Sequence, residues 1–84
     1  MIIYHTVKTN DGVPPTNAAR LTAWAVECSD PVTIITSRQK ANAKSFSEVM
    51  KLSLHRGEKI KLQVGDTTNE SSVQTLTSIL RTYF

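Results

Sequence analysis

Apolar residues recur along this chain at two different periods, and each change of period marks the start of a new element. Over residues 2–8, Ile-Ile-Tyr-His-Thr-Val-Lys, β-branched and aromatic residues alternate. Ile3, His5 and Val7 share one face of a predicted strand, and Tyr4, Thr6 and Lys8 share the charged, solvent-facing one. Asn10-Asp11-Gly12 breaks the strand, and the period then lengthens. Pro14 and Pro15 belong in the opening turn of a helix, where Thr16 or Asn17 is the expected cap. Ala18, Leu21, Thr22, Ala25 and Cys28 follow as its buried stripe, flanked by Ala19, Arg20, Ala23 and Trp24, and Ser29-Asp30-Pro31 stops it. Val32–Thr36 is a second strand, joined through Ser37-Arg38-Gln39 to a brief third, Lys40–Ala43, by a connection short enough for a hairpin. Ser45-Phe46-Ser47-Glu48 has capping-box form, with Ser45 as N-cap and Glu48 reaching back. It starts a helix running to about Leu54, with Val49 and Leu52 inward and His55 at its end. Arg56-Gly57-Glu58 closes that helix. Lys59–Val64 alternates cleanly, with Ile60, Leu62 and Val64 inward. Gly65–Asn69 turns into a last helix that buries Val73, Leu76, Ile79 or Leu80, and Tyr83 or Phe84.

The order β-α-β-β-α-β-α predicts an α+β fold, a four-stranded, mostly antiparallel sheet covered on one face by three helices. At 84 residues the expectation is one domain spanning 1–84. Ser and Thr supply nineteen residues and the apolar fraction is 39%, so the core is thin and a large buried catalytic cavity is not expected. Ten Lys and Arg against seven Asp and Glu give a net charge of +3, too weak to name a nucleic-acid partner. The basic residues Lys40, Lys44, Lys51, Arg56, Lys59 and Lys61 read as a solvated face, because no stacking aromatics are interleaved with them. Nucleic acid is therefore not an expected partner. The lone Cys28 excludes an internal disulfide framework and reads as a small buried apolar residue in a reducing compartment. No apolar run approaches a membrane span, and the start MIIYHTVK lacks the features of a secretory signal, so a cytoplasmic location is expected. Phosphate-loop, dinucleotide and zinc-protease motifs are missing. His5 and His55 are too far apart in sequence to suggest a metal pair. Neither cofactor nor metal is expected.

The run Lys40-Ala41-Asn42-Ala43-Lys44-Ser45-Phe46-Ser47-Glu48-Val49-Met50-Lys51-Leu52 resembles the regulatory-serine segment of HPr, the phosphocarrier of the bacterial sugar phosphotransferase system. Gly12, Ala18-x-x-Leu21 and Glu58-Lys59-Ile60 fall on matching family positions without gaps. The resemblance implies the HPr-like open-faced β-sandwich. It also implies a phosphate-accepting histidine at the start of the first helix, within G-[IL]-H-A-R-P-A. Here the corresponding stretch reads Gly12-Val13-Pro14-Pro15-Thr16-Asn17-Ala18, with Pro14 at the place of the histidine and Thr16 at that of the arginine. A neutral imidazole nitrogen is a nucleophile at physiological pH, whereas proline offers no nucleophile. The expectation is a degenerate active-site loop and a non-enzymatic, Crh-like regulatory protein. The alternative is a phosphocarrier using another acceptor. His5 reads as a satisfied, partly buried core residue and His55 as a solvated one beside a helix C-terminus.

By the same resemblance Ser45 is the candidate regulatory phosphorylation site, with HPr kinase or a catabolite-control regulator as partner. A phosphate there would gain from the helix N-terminus, but Glu48 adds a like charge in the same turn, and capping alone also accounts for the serine. The family docking patch maps onto Ala19, Arg20, Ala23, Phe46, Ser47 and Met50, with Trp24 adjacent as a candidate hot spot. Dimerisation through this patch is left open.

Overall fold

In the computed structural model, which describes residues 1–9, 12–65 and 69–84, the predicted element order holds throughout. It runs β1 (Ile2–Thr6), α1 (Pro15–Val26), β2 (Val32–Ile35), β3 (Lys40–Asn42), α2 (Phe46–Met50), β4 (Lys59–Val64) and α3 (Glu70–Tyr83). The strands form one sheet in the order β1-β4-β2-β3, and every pairing is antiparallel. β4 and β2 are the inner strands, and β4 carries the cleanest alternation. Ile60, Leu62 and Val64 are buried, and Lys59, Lys61 and Gln63 are exposed. A one-residue slip would turn all three apolar side chains to solvent, so the hydrophobic pattern itself fixes the register. The inward face meets Ala18, Leu21 and Ala25 of α1, Val49 of α2, and Leu76 and Leu80 of α3 in a single buried cluster.

Four elements end sooner than the sequence expectation: β2 at Ile35 rather than Thr36 and β3 at Asn42 rather than Ala43, each by one residue, and β1 and α2 by more. β1 ends at Thr6 rather than Lys8, although Val7 beyond it is buried and its backbone bonds to Glu58 and Gly57. Helix α2 stops at Met50 instead of reaching Leu54. Leu52 and Leu54 are both buried while Lys51, Ser53 and His55 are exposed, a period of two that only extended chain can satisfy. The amide side chain of Gln39 takes over the freed backbone groups, donating to the Lys51 carbonyl at 3.4 Å and accepting from the Ser53 N–H at 3.1 Å. Gly57 does take a positive φ of 89°, but it turns the chain into β4 rather than closing α2. In α3 the buried residues are Leu76 and Leu80, followed by Phe84; Val73, Ile79 and Tyr83 are half-buried. The predicted turns at Asn10-Asp11 and Asp66-Thr67-Thr68 lie outside the described residues.

Candidate functional site

The start of α1 is built by proline. Pro14 is the N-cap, in extended backbone with φ −60° and ψ 142°, and Pro15 is the first helical residue. A proline ring fixes φ near its helical value and has no N–H to orphan, so this turn forms without a side-chain cap. The Pro14 carbonyl accepts from the N–H groups of Asn17 and Ala18, both at 3.0 Å. The expectation that Thr16 or Asn17 would cap is therefore corrected: both lie inside the first turn. Asn17 Nδ2 instead donates to the Tyr83 carbonyl at 2.8 Å, tying the start of α1 to the end of α3. Upstream, Gly12 has φ +85°, a conformation that glycine adopts without strain. Its N–H donates to the Leu54 carbonyl at 2.9 Å. The α2–β4 loop thus lies against the loop that opens α1, a juxtaposition with no sequence signal.

The start of α2 is built by a side chain. Ser45 is the N-cap and its Oγ accepts from the Glu48 N–H at 3.4 Å. The second arm of the expected capping box goes elsewhere, since the Glu48 carboxylate accepts from the Asn42 N–H at 3.0 Å rather than from Ser45. The Ser45 N–H is already committed to the Asn42 carbonyl, which leaves the glutamate free to hold the β3 edge. Ser45 Oγ also lies 3.2 Å from Ser47 Oγ. The preceding Lys44 sends its ammonium to the Cys28 carbonyl at 2.7 Å, bracing this turn against the end of α1.

The expected docking patch divides between two flanks of α1. Trp24 Nε1 donates to the Ser72 carbonyl of α3 at 3.0 Å, and the Arg20 guanidinium sits 4.7 Å from the centre of the Tyr83 ring, a cation–π contact. Both line an open groove of about 350 Å³ between α1 and α3, together with Ala23, Glu27 and Ile79. Trp24 is therefore half-buried against α3, on the flank of α1 that faces the last helix. At 3.6 residues per turn, Ala19, Thr22 and Val26 fall on the other flank. On that side of the molecule Phe46 is 44% exposed, Val26 is 55% exposed and Met50 is half-buried against the core. Sequence reasoning missed Val26, although its place opposite Trp24 on the helical wheel could have indicated it.

The histidines lie on separate elements. His5 projects from β1 and is partly buried as expected, but it is only half satisfied: the Phe84 backbone bonds to its ring, while among the described residues the buried Nε2 has no hydrogen-bond partner. Burial holds its pKa below the ordinary value; the Phe84 backbone opposes this and the Lys8 charge reinforces it. His55 belongs to the α2–β4 loop rather than to a helix end. It lines a cleft of about 440 Å³ with Arg38, Gln39 and Ser53, and its N–H donates to the Glu58 carboxylate at 3.3 Å. Cys28 is half-buried and its thiol points to the Trp24 carbonyl. Burial raises its pKa, with Lys44 opposing. Among the described residues no group of three or more His, Cys, Asp or Glu could hold a metal ion, and no helix is long and apolar enough to cross a membrane.

Residues 4–82 match the family model described as the PTS HPr component phosphorylation site. No curated protein matches the sequence. Among solved structures, the histidine-containing phosphocarrier protein of Mycoplasma superposes with a TM-score of 0.83 at 22% identity, covering 94% of this chain and 90% of its own. HPr-C-His from Thermoanaerobacter tengcongensis gives a TM-score of 0.80 at 22% identity, over 96% of this chain and 91% of that one. The catabolite-repression protein Crh of Bacillus subtilis, itself a swapped, intertwined dimer, gives 0.73 at 20% identity, over 93% and 90%.

Proposed function

This chain belongs to the HPr family of the phosphotransferase system, and we propose that within it the protein is a regulatory and interaction member rather than a histidine phosphocarrier. The carrying observation is the start of α1, where Pro14 supplies the cap with backbone alone and no side-chain nucleophile. In this reading Pro14 stands at the family's phosphohistidine position, and the loop Gly12, Pro14, Pro15, Thr16 and Asn17 is a degenerate active site. A ring-locked residue cannot accept phosphate, so what remains to the protein is binding. The protein is not an enzyme in its own right, and its partners are other proteins of the cytoplasm, held on the flank of α1 and α2 that carries Phe46, Ser47 and Met50. A HPr kinase or a catabolite-control regulator has the right chemistry. Ser45 is the modification site in this reading. It is half-buried as an N-cap, so a phosphate there would exchange one capping acceptor for several and alter the shape of that flank.

A second reading has one observation in its favour. The Gly12–Leu54 hydrogen bond sets His55 one residue from the loop that opens α1, so His55 is the alternative acceptor for a phosphocarrier. Incubation with enzyme I and labelled phosphoenolpyruvate separates the two. The regulatory reading expects no acid-labile label on the wild type and label on a Pro14→His/Thr16→Arg variant. Acid-labile label on the wild type that disappears in His55→Ala overturns it in favour of the second reading. For Ser45, HPr kinase with ATP is expected to label the wild type and not Ser45→Ala; an unlabelled wild type would restrict Ser45 to capping.

A further inference from the structure

The helices cover one face of the sheet, and the other face is open. The register arranges that face into rows that sequence order does not reveal. Tyr4 lies opposite Lys61, Lys61 opposite Ile35, and Ile35 opposite Lys40. Beside this row run Ile2, Gln63, Thr33 and Asn42, and on the other side Thr6 and Lys59. Among the described residues, these paired rows carry three lysines and no carboxylate. Their aromatic, Tyr4, is 70% exposed and lies directly across a strand pair from a lysine. Side chains opposite each other on neighbouring strands stand about 5 Å apart, and Lys59 and Lys61 are separated by two residues of strand, ~6.8 Å. The aromatic interleaving that is missing from the linear sequence is created by β-pairing.

Tyr4 and Lys59 also flank a shallow cleft of about 310 Å³. Tyr4, Lys59 and Lys61 are all exposed. The far rim differs: at β3, Glu48 holds the Asn42 N–H, so negative charge lies closer to Lys40. The positive and aromatic centre of the face is therefore its β1–β4 half.

We propose that this open face binds single-stranded nucleic acid, with Tyr4 as the platform for one base and Lys59 and Lys61 on the adjoining phosphates. Charge alone would suit any polyanion. The exposed ring set among lysines is what favours a base-bearing chain, because an aromatic face stacks on every base while an acidic polypeptide offers it nothing equivalent. Gln63 and Thr33 form the polar pair of the next row. The surface lies on the side of the sheet remote from both helix starts, so this proposal stands or falls independently of the regulatory reading.

The test is fluorescence anisotropy of a labelled oligothymidine of about 12 nucleotides, with the full chain, from roughly 25 mM salt upward. Binding is expected to weaken with salt. Replacing Lys59 and Lys61 by Gln should make the log–log slope shallower by about 1.4, at ~0.7 per phosphate contact on a single strand. Tyr4→Ala should weaken binding about tenfold and Tyr4→Phe should not, since stacking needs the ring and not the hydroxyl. Thermal melts of each variant establish that the fold persists, and the lysine and Tyr4→Phe variants leave the core untouched. No binding at the lowest salt overturns the proposal. So does binding that is indifferent to Tyr4→Ala, and so does equal capture by polyglutamate or by anionic lipid vesicles, which would assign the face to an acidic protein or a membrane surface instead.

Discussion

The first two helices begin by opposite means. α1 is started by backbone stiffness: Pro14 caps it in extended conformation and Pro15 fills the first helical position, so no side-chain chemistry is spent on the turn. α2 is started by a hydroxyl, Ser45 Oγ, receiving the Glu48 N–H. The difference decides which start presents a side-chain hydroxyl. A proline cap offers none. A serine cap offers one, and in the proposed regulatory reading that oxygen is the one modified. Length sharpens the contrast. α1 spans 12 residues and buries Ala18, Leu21 and Ala25, whereas α2 spans five and buries Val49. A long helix held by packing tolerates a silent cap, while a helix of little more than one turn depends on its cap for a large share of its stability.

Mutations can break this contrast. The largest effect is expected for Leu21→Ala, since Leu21 is 1% exposed in the α1 stripe; a loss of about 2–5 kcal/mol in urea unfolding is anticipated. A loss below about 1 kcal/mol would show that α1 does not depend on packing. Next comes Ser45→Ala, expected to cost about 1 kcal/mol and to lower amide protection in residues 46–50 ahead of α1. Asn17→Ala removes the tie to the Tyr83 carbonyl and leaves that acceptor to solvent, for about 0.5–1.5 kcal/mol. Thr16→Ala should shift stability by no more than about 0.5 kcal/mol; a larger loss would make Thr16 a working cap and remove the contrast.

The smallest effect belongs to neither helix and concerns His5. Its pKa is lowered in the folded state by burial, so the unfolded chain takes up the proton more readily. Stability is then full above the ordinary histidine value of about 6.5 and falls as pH drops below it toward the folded pKa. A His5→Phe variant should show a flatter Tm profile between about pH 7 and pH 5. An identical slope in wild type and variant would locate the acid sensitivity elsewhere. The ring is partly exposed, which keeps the expected difference modest.

Much of the fold was legible in the residues, and the exceptions share a cause. Lys59–Val64 could be read to the residue because strict alternation admits one register only. Ser45 could be read as a cap because its partner lies three positions away in sequence. The end of α2 could not, because the groups that stop it belong to Gln39, fourteen residues before Ser53. The second arm of the capping box failed for the same reason, with Glu48 drawn away by the Asn42 amide of a neighbouring strand. Helical spacing placed Trp24 beside the buried stripe without indicating that α3 covers it, because spacing ranks positions by distance from the stripe and does not name the neighbour on each flank.

The sequence by itself determined the alternation of periods, the order of the seven elements, and a start of α1 built from two prolines, since each depends on residues within a turn or two of one another. Tertiary structure alone decided that Trp24 faces α3, that the loop bearing His55 meets the loop bearing Gly12, and that Tyr4 stands opposite Lys61. These are encounters between segments distant in sequence. They are set by strand pairing and by how three helices share one sheet face, and no local preference of the chain encodes them.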